Sequence, residues 1–169
     1  TLMFSSNVGC ILWGQRLSDE VFLDRLRRFG FGRRTGIDLS PESSGALMPL
    51  RRVNKLTKAY MSIGQSVAVT QAQVLQAYAA LANGGNLVTP HFAQDFPVER
   101  TPAADPRVLG TLRDILFQTV EAGTGKKARV EGVAWAGKTG TAQKAVPGKG
   151  YIPGSYVSSF MGWFPAQHP

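Results

Sequence analysis

One cysteine, Cys10, and two histidines, His91 and His168, are all that the 169-residue chain offers in thiol or imidazole chemistry. A lone cysteine excludes an internal disulfide and leaves the redox compartment open, because a buried thiol is tolerated inside or outside a cell. The three residues lie too far apart for any metal-ligand spacing, so no metal and no other cofactor is expected. No run of about eighteen apolar residues occurs, which excludes a membrane-spanning helix within these residues. Acidic side chains are scarce as well, 11 against 19 Lys and Arg, giving a formal net charge of +8. That balance raises the question of nucleic acid. The basic residues fall in scattered groups, Arg25, Arg27 and Arg28, then Arg51, Arg52, Lys55 and Lys58, then Lys126, Lys127 and Arg129, with no aromatic residues interleaved as a stacking platform would need. No nucleic-acid partner is expected, and a solvated basic face accounts for the charge.

What is present is enough for one domain with a buried core, since 43% of the residues are hydrophobic. Ser18 reads as the N-cap of a helix with Asp19 and Glu20 in its first turn, Phe22, Leu26 and Phe29 on one face, and Gly30 just past its end. From Phe31 to about Val53 the chain is rich in Gly, Pro and Ser without a sustained period, so a long connection is expected there. Thr70 with Gln73 forms a capping box for a second helix that presents Val74, Tyr78 and Leu81 and stops at Asn83, Gly84 and Gly85. Leu87 to Phe92 suits a strand. Asp105 and Pro106 open a third helix with Leu109, Leu112, Ile115 and Leu116 inward, ending at Gly123. Val133 to Thr141 and Tyr156 to Phe164 read as antiparallel strands, with Pro147, Gly148, Gly150, Pro153 and Gly154 in a long loop between them. Helices first and strands last place the chain in the α+β class, helices packed on an antiparallel sheet.

Three motifs have competing readings. Gly132, four residues, then Gly137, Lys138 and Thr139 match the phosphate-loop pattern, but Val133 to Ala136 suit a strand, and Pro147, Gly148 and Gly150 soon after cannot sustain the helix a phosphate loop requires. Gly64, Gln65, Ser66, Val67 and Ala68 approach a nucleophile elbow, with His168 as a conceivable partner, yet the second glycine is missing and the following helix starts late. Ser66 therefore reads as a loop serine, and His91, after Thr89 and Pro90, as a strand or loop residue. Gly123, Thr124, Gly125, Lys126 and Lys127 read as a helix C-cap whose lysines favour the negative end of the dipole, in preference to an anion site.

The remaining signal is a pair. Ser5, Ser6 and Asn7 spell Ser-x-Asn, and Lys138, Thr139, Gly140 and Thr141 spell Lys-Thr-Gly-Thr, in the order found in penicillin-recognising acyl-transfer proteins. Around that pair the chain resembles the transpeptidase domain of penicillin-binding proteins, most closely the class B, cell-division or elongation type. The likeness runs through Ser5-Ser6-Asn7-Val8-Gly9, Phe29-Gly30-Phe31-Gly32, Gly64-Gln65-Ser66, Gly123-Thr124-Gly125 and Gly137 to Lys144, nearly the whole chain. It implies a five-stranded antiparallel sheet flanked by helices, with the active site between the sheet edge and a helical subdomain. The implied activity is a peptidoglycan D,D-transpeptidase that forms a serine acyl-enzyme with D-Ala-D-Ala stem peptides and is trapped by β-lactams.

Carried over by residue, the resemblance makes Ser5 a proton-relaying hydroxyl, Asn7 a holder of the substrate backbone and the catalytic lysine, and Lys138 the cation that polarises Ser5. Thr139 and Thr141 would grip the donor carboxylate, with the Thr141 amide in the oxyanion hole, and Gly140 would leave room for a ligand lying along the strand. No serine here has a lysine three positions later, the spacing that brings hydroxyl and ammonium to one helix face. Residues 1–169 are therefore expected to be the C-terminal portion of the domain, inactive alone. The Ser-x-x-Lys segment is expected upstream of Thr1, and a last strand and helix beyond Pro169. Implied partners are stem peptides, β-lactams, the complementary N-terminal part of the same protein, and division or elongation membrane proteins. The implied location is the outer face of the cytoplasmic membrane, anchored by an N-terminal segment. Two alternatives remain: a β-lactamase or β-lactam sensor of the same fold, and a non-catalytic module that binds wall peptide or division partners.

Overall fold

The computed structural model describes residues 1–146, 148, 150–167 and 169. Each α-helix among the described residues starts at a side-chain cap. Ser6 caps α1 (Asn7–Gln15) by accepting from Gly9 N at 3.2 Å. Ser18 caps α2 (Asp19–Arg28), whose acidic first turn and arginine-rich last turn oppose the helix dipole as expected. Capping boxes open α3 (Lys55–Ser62), through Asn54 and Thr57, and α4 (Gln71–Ala82), through Thr70 and Gln73. Asp105 accepts from Arg107 N at 2.9 Å and Pro106 sits at the first position of α5 (Pro106–Glu121). Among the described residues the strands are β1 (Asn86–Val88) with β2 (Arg100–Pro102), and β3 (Ala136–Val146) with β4 (Gly150–Trp163), two antiparallel ladders.

The α+β class holds, with differences in detail. The helices α1 and α3 are not foreshadowed by any periodicity. Each is too short to persist alone, so tertiary contacts hold them. Lys58 is buried in α3, where its ammonium pairs with Asp19 Oδ1 at 2.6 Å and donates to Leu17 O at 2.9 Å, tying α3 to the start of α2. Gln15 Nε2 donates to Lys55 O at 2.8 Å and joins α1 to α3. On α4 the buried side chains are Gln73, Gln76, Ala77 and Ala80, whereas Val74, Tyr78 and Leu81 are half-buried. Apolar residues surround that helix, so periodicity could not choose its inner face, and the two glutamines turn inward to serve backbone carbonyls.

The strand expected over Leu87 to Phe92 is limited to Asn86–Val88. Conversely β3 and β4 pair continuously from Ala136↔Trp163 to Gln143↔Tyr156 and again from Ala145↔Tyr151 to Val146↔Gly150, so the part of the expected loop from Gly150 to Gly154 belongs to β4. A register shift between Gln143 and Ala145 and the positive φ of Gly154 (73°) absorb the glycine and proline signals as irregularity within the ladder. Pro147 and His168, both weighed in the sequence, lie outside the described residues. The core has one cluster of Leu116, Ala136, Trp163 and Ala166 under the β3–β4 ladder, and another of Phe22, Leu23 and Met61 among α2 and α3. Tyr78 meets Trp163 edge-on at 6.3 Å.

The connection from Phe31 to Val53 is irregular, as expected, but well anchored. Gln73 Nε2 donates to Arg33 O at 2.6 Å and Ser44 O at 2.8 Å. Asp38 accepts from Phe92 N and Ala93 N. Glu42 accepts from Thr35 N and Thr35 Oγ1, each at 2.6 Å, and from Gly36 N at 3.1 Å. Burial alone would raise the Glu42 carboxyl, but these Thr35 and Gly36 hydrogen bonds outweigh it and hold the group below the usual carboxylate range. A depressed folded value means stabilisation that is complete above the unfolded value, about pH 4.3, and lost as pH falls through the folded one. Glu42→Gln, which mimics the protonated form, should therefore lower the unfolding midpoint at pH 7. Urea melts of the two proteins should converge in strong acid, and a constant gap would show that charge at Glu42 is irrelevant.

Candidate active site

Ser5 lies in the turn that leads into α1, with φ at 50°, a region rarely used by residues other than glycine. The turn is closed by Ser5 N donating to Leu2 O and Ser6 N to Thr1 O, each at 3.1 Å. Ser6, the middle residue of Ser-x-Asn, is thus the helix cap, and Asn7, the first residue of α1, lines the cleft beside Ser5. From the opposite wall, Lys138 of β3 donates through Nζ to Ser5 Oγ and to Thr139 O, the latter at 2.8 Å. Thr139 Oγ1 donates to Thr124 Oγ1 at 3.1 Å, and Thr124 Oγ1 lies 3.5 Å from Ser5 Oγ. Two motifs 133 residues apart in sequence therefore meet in one polar network.

Six residues singled out in the sequence, Ser5, Asn7, Lys138, Thr139, Gly140 and Thr141, line one cleft of about 840 Å³. Its remaining walls include Ser62, Ile63 and Gly64 at the end of α3 and Ser158 and Ser159 on β4. Lys138 and Lys127 are its charged lining residues, and no carboxylate faces them there, so the cleft favours an anion. Partial burial depresses the Lys138 ammonium below the ordinary lysine value, a nearby Cys10 acting in the opposite direction to a smaller extent. A lysine so placed exchanges a proton with a bonded hydroxyl more readily than a solvated one does. A Cβ on Gly140 would come 2.7 Å from Ser159 Oγ, the tip of a side chain that can turn aside.

Thr124 and Lys127 line the cleft, although the sequence reading assigned them only to a helix end. Both roles hold: Gly123 N and Gly125 N donate to Thr119 O at 3.1 and 2.9 Å, ending α5, while Thr124 and Lys127 turn into the cleft. Thr124 N also donates to Met3 O at 3.2 Å, and a Cβ on Gly123 would sit 2.5 Å from that oxygen. The Gly-Thr-Gly bend was the available signal. Ser62, Ser158 and Ser159 carried none.

The competing motifs separate cleanly. A strand, not a helix, carries Lys138 onward to Val146, which rules out a phosphate loop. Ser66 is a loop residue with φ at 59°. His91 Nδ1 lies 2.9 Å from Ala93 O in a loop. Among the described residues no group of three metal-ligating side chains converges.

Comparison with known proteins agrees with this geometry. The family model described as the penicillin binding protein transpeptidase domain matches residues 1–169. Stage V sporulation protein D of Bacillus subtilis is 40% identical over 98% of the chain, and penicillin-binding protein PbpB of Mycobacterium tuberculosis 38% over 98%. The chain spans 27% of the length of each of these relatives. The crystal structure of penicillin binding protein 3 from M. tuberculosis complexed with aztreonam superposes with a TM-score of 0.87 at 35% identity, over 99% of this chain and 42% of that one. The apo transpeptidase domain of penicillin-binding protein 3 from Burkholderia pseudomallei gives 0.88 at 28%, over 97% and 50%. With Ser-x-Asn and Lys-Thr-Gly joined across one cleft and this likeness running from end to end, the chain belongs to the penicillin-binding protein transpeptidase family, class B.

Proposed function

We propose that the protein carrying this chain is a peptidoglycan D,D-transpeptidase. A serine hydroxyl attacks the carbonyl carbon of the penultimate D-Ala of a stem peptide, and the terminal D-Ala leaves with a proton. The acyl group then passes from the serine to an amine of a neighbouring peptide, and the serine regains its proton. The observation that carries this reading is the contact of Lys138 with Ser5, flanked by the hydroxyls of Thr124 and Thr139 in an anion-favouring cleft. In it, Lys138 polarises Ser5 and attracts the donor carboxylate, Thr139 and Thr141 bind that carboxylate, and Asn7 holds the peptide. Gly140 lets the donor lie against β3, and the Thr141 amide donates to the oxyanion.

The nucleophile belongs to a Ser-x-x-Lys segment outside these residues. Support for such a companion segment comes from α1 and the turn before it, where Phe4, Val8 and Leu12 recur every four residues and are at least 61% exposed. An apolar stripe of this kind is a surface that another part of the protein covers. No helix among the described residues is long and apolar enough to cross a membrane, and in this reading a segment elsewhere anchors the protein on the outer face of the cytoplasmic membrane. There its partners are D-Ala-D-Ala peptides, β-lactams and division or elongation membrane proteins.

The test is an intact-mass spectrum of the full-length protein before and after benzylpenicillin. A persistent adduct, mapped by peptide digestion to the serine of a Ser-x-x-Lys sequence, is expected. Rapid loss of the adduct would identify a β-lactamase, and no adduct at all would identify a non-catalytic binding module.

A further inference from the structure

A second cavity lies away from the catalytic cleft and shares no lining residue with it. It encloses about 400 Å³ between the connection that follows Phe31, the helix α4 and the β1–β2 ladder, a volume within the range of small-molecule sites. Its walls are tied together. Gln73 Nε2 holds the connection at Arg33 O, and the Glu42 carboxylate holds it at Thr35 and Gly36. Asp38 Oδ2 accepts from Ala93 N at 2.6 Å and fastens the loop between β1 and β2 to the same connection. Thr89 N donates to Glu99 O at 3.0 Å and carries the ladder on to the cavity. A space held by these bonds exists before a ligand arrives, so binding costs little ordering.

The charged groups that line it do not neutralise one another. Arg33 and Arg34 enter from the connection and Glu99 from the residue directly before β2, and among the described residues none of the three makes an ion pair. Gln76 of α4 lines the cavity too and is 6% exposed. Its Nε2 donates to Val88 O at 2.9 Å, while its Oε1 accepts no hydrogen bond among the described residues, which leaves that oxygen for a donor entering the cavity. Leu87, Phe96 and Pro97 supply an apolar wall.

Two guanidiniums, one carboxylate, one amide oxygen and an apolar wall complement the carboxylate, ammonium, backbone N–H and apolar side chain of a short peptide with free termini. An extended dipeptide is about 7 Å long, which the cavity admits. A phosphate would set its charge against Glu99, and a simple amine would set its charge against the guanidiniums. We propose that this cavity binds a free dipeptide with an apolar side chain, its carboxylate on Arg33 and Arg34, its ammonium on Glu99 and its N–H on Gln76 Oε1. The site is separate from the catalytic cleft and does not depend on the transpeptidase reading.

The test is a ligand-observed NMR titration of the full-length protein with alanyl-leucine, its N-acetyl form and its C-terminal amide. Alanyl-leucine should bind with a Kd of about 1 mM, ordinary for a ligand of its size. Each capped form should bind about tenfold more weakly, as loss of one charge-assisted contact implies. In Glu99→Gln the free and acetylated amines should bind alike, and in the double variant Arg33→Gln with Arg34→Gln the carboxylate and the amide should. The cleft variant Lys138→Ala should bind alanyl-leucine as the wild-type protein does. No binding of alanyl-leucine, or equal affinity for all three forms in the wild-type protein, overturns the site. Discrimination that survives in the Glu99 and arginine variants overturns the roles given to those residues. Loss of binding in Lys138→Ala overturns the proposal as well, by placing the dipeptide in the cleft.

Discussion

Replacing Lys138 by alanine in the full-length protein should cut the second-order rate of acylation by benzylpenicillin at least a hundredfold, about 2.7 kcal/mol of transition-state stabilisation. The expectation follows from geometry. The Nζ of Lys138 bonds both Ser5 Oγ and Thr139 O, so alanine removes the bridge between the two motifs and leaves Ser5 without its cation. Lys138 belongs to none of the three core clusters found among the described residues, so thermal unfolding should change little, and this separates loss of chemistry from loss of fold. A pH profile adds a second check. Burial depresses the Lys138 ammonium, so the cation is lost at lower pH than an ordinary lysine, and the alkaline fall in acylation should begin below about pH 10.4. Alanine at 138 should abolish that limb. Acylation within a few-fold of wild type would sink the role assigned to Lys138.

Gln73→Ala should destabilise the protein by about 4 kcal/mol, from three lost hydrogen bonds and the backbone groups they leave without partners. Gln73 is 0% exposed, accepts from Thr70 N at 2.9 Å, and donates to both Arg33 O and Ser44 O. One side chain therefore caps α4 and fixes two points of the Phe31 to Val53 connection. Gln73→Glu separates the two jobs, since a carboxylate still accepts from Thr70 N but cannot donate to the carbonyls. It should be at least as destabilising as alanine, because it sets negative charge against two carbonyl oxygens. The measurement is urea unfolding of the full-length variants by circular dichroism. A loss below about 1 kcal/mol for alanine would mean that water reaches those carbonyls.

Local structure was legible in the sequence wherever it depends on neighbours in the chain. Ser18, Thr70 with Gln73, and Asp105 with Pro106 announced α2, α4 and α5, because capping is chemistry within three residues. The order of Ser-x-Asn and Lys-Thr-Gly-Thr pointed to the family the comparisons show, because a short motif is legible in the few residues that spell it. What spacing could not supply was any contact between distant segments. The helix α3 exists because Lys58 finds Asp19 and Leu17 O, and β4 pairs with β3 on both sides of an unpaired stretch that holds Pro153 and Gly154, from Tyr156 onward and again at Gly150 and Tyr151. The roles of Thr124 and Lys127 followed the same rule. Their sequence context described a helix end, and only the approach of Met3 O to that bend, together with Thr139 from β3, made them walls of the cleft. Sequence by itself determined the caps, the class and the chemical vocabulary of the site, all carried by short-range rules. Tertiary structure decided the inward face of α4, the reach of the strands and which hydroxyls surround Lys138, because each depends on partners tens of residues away.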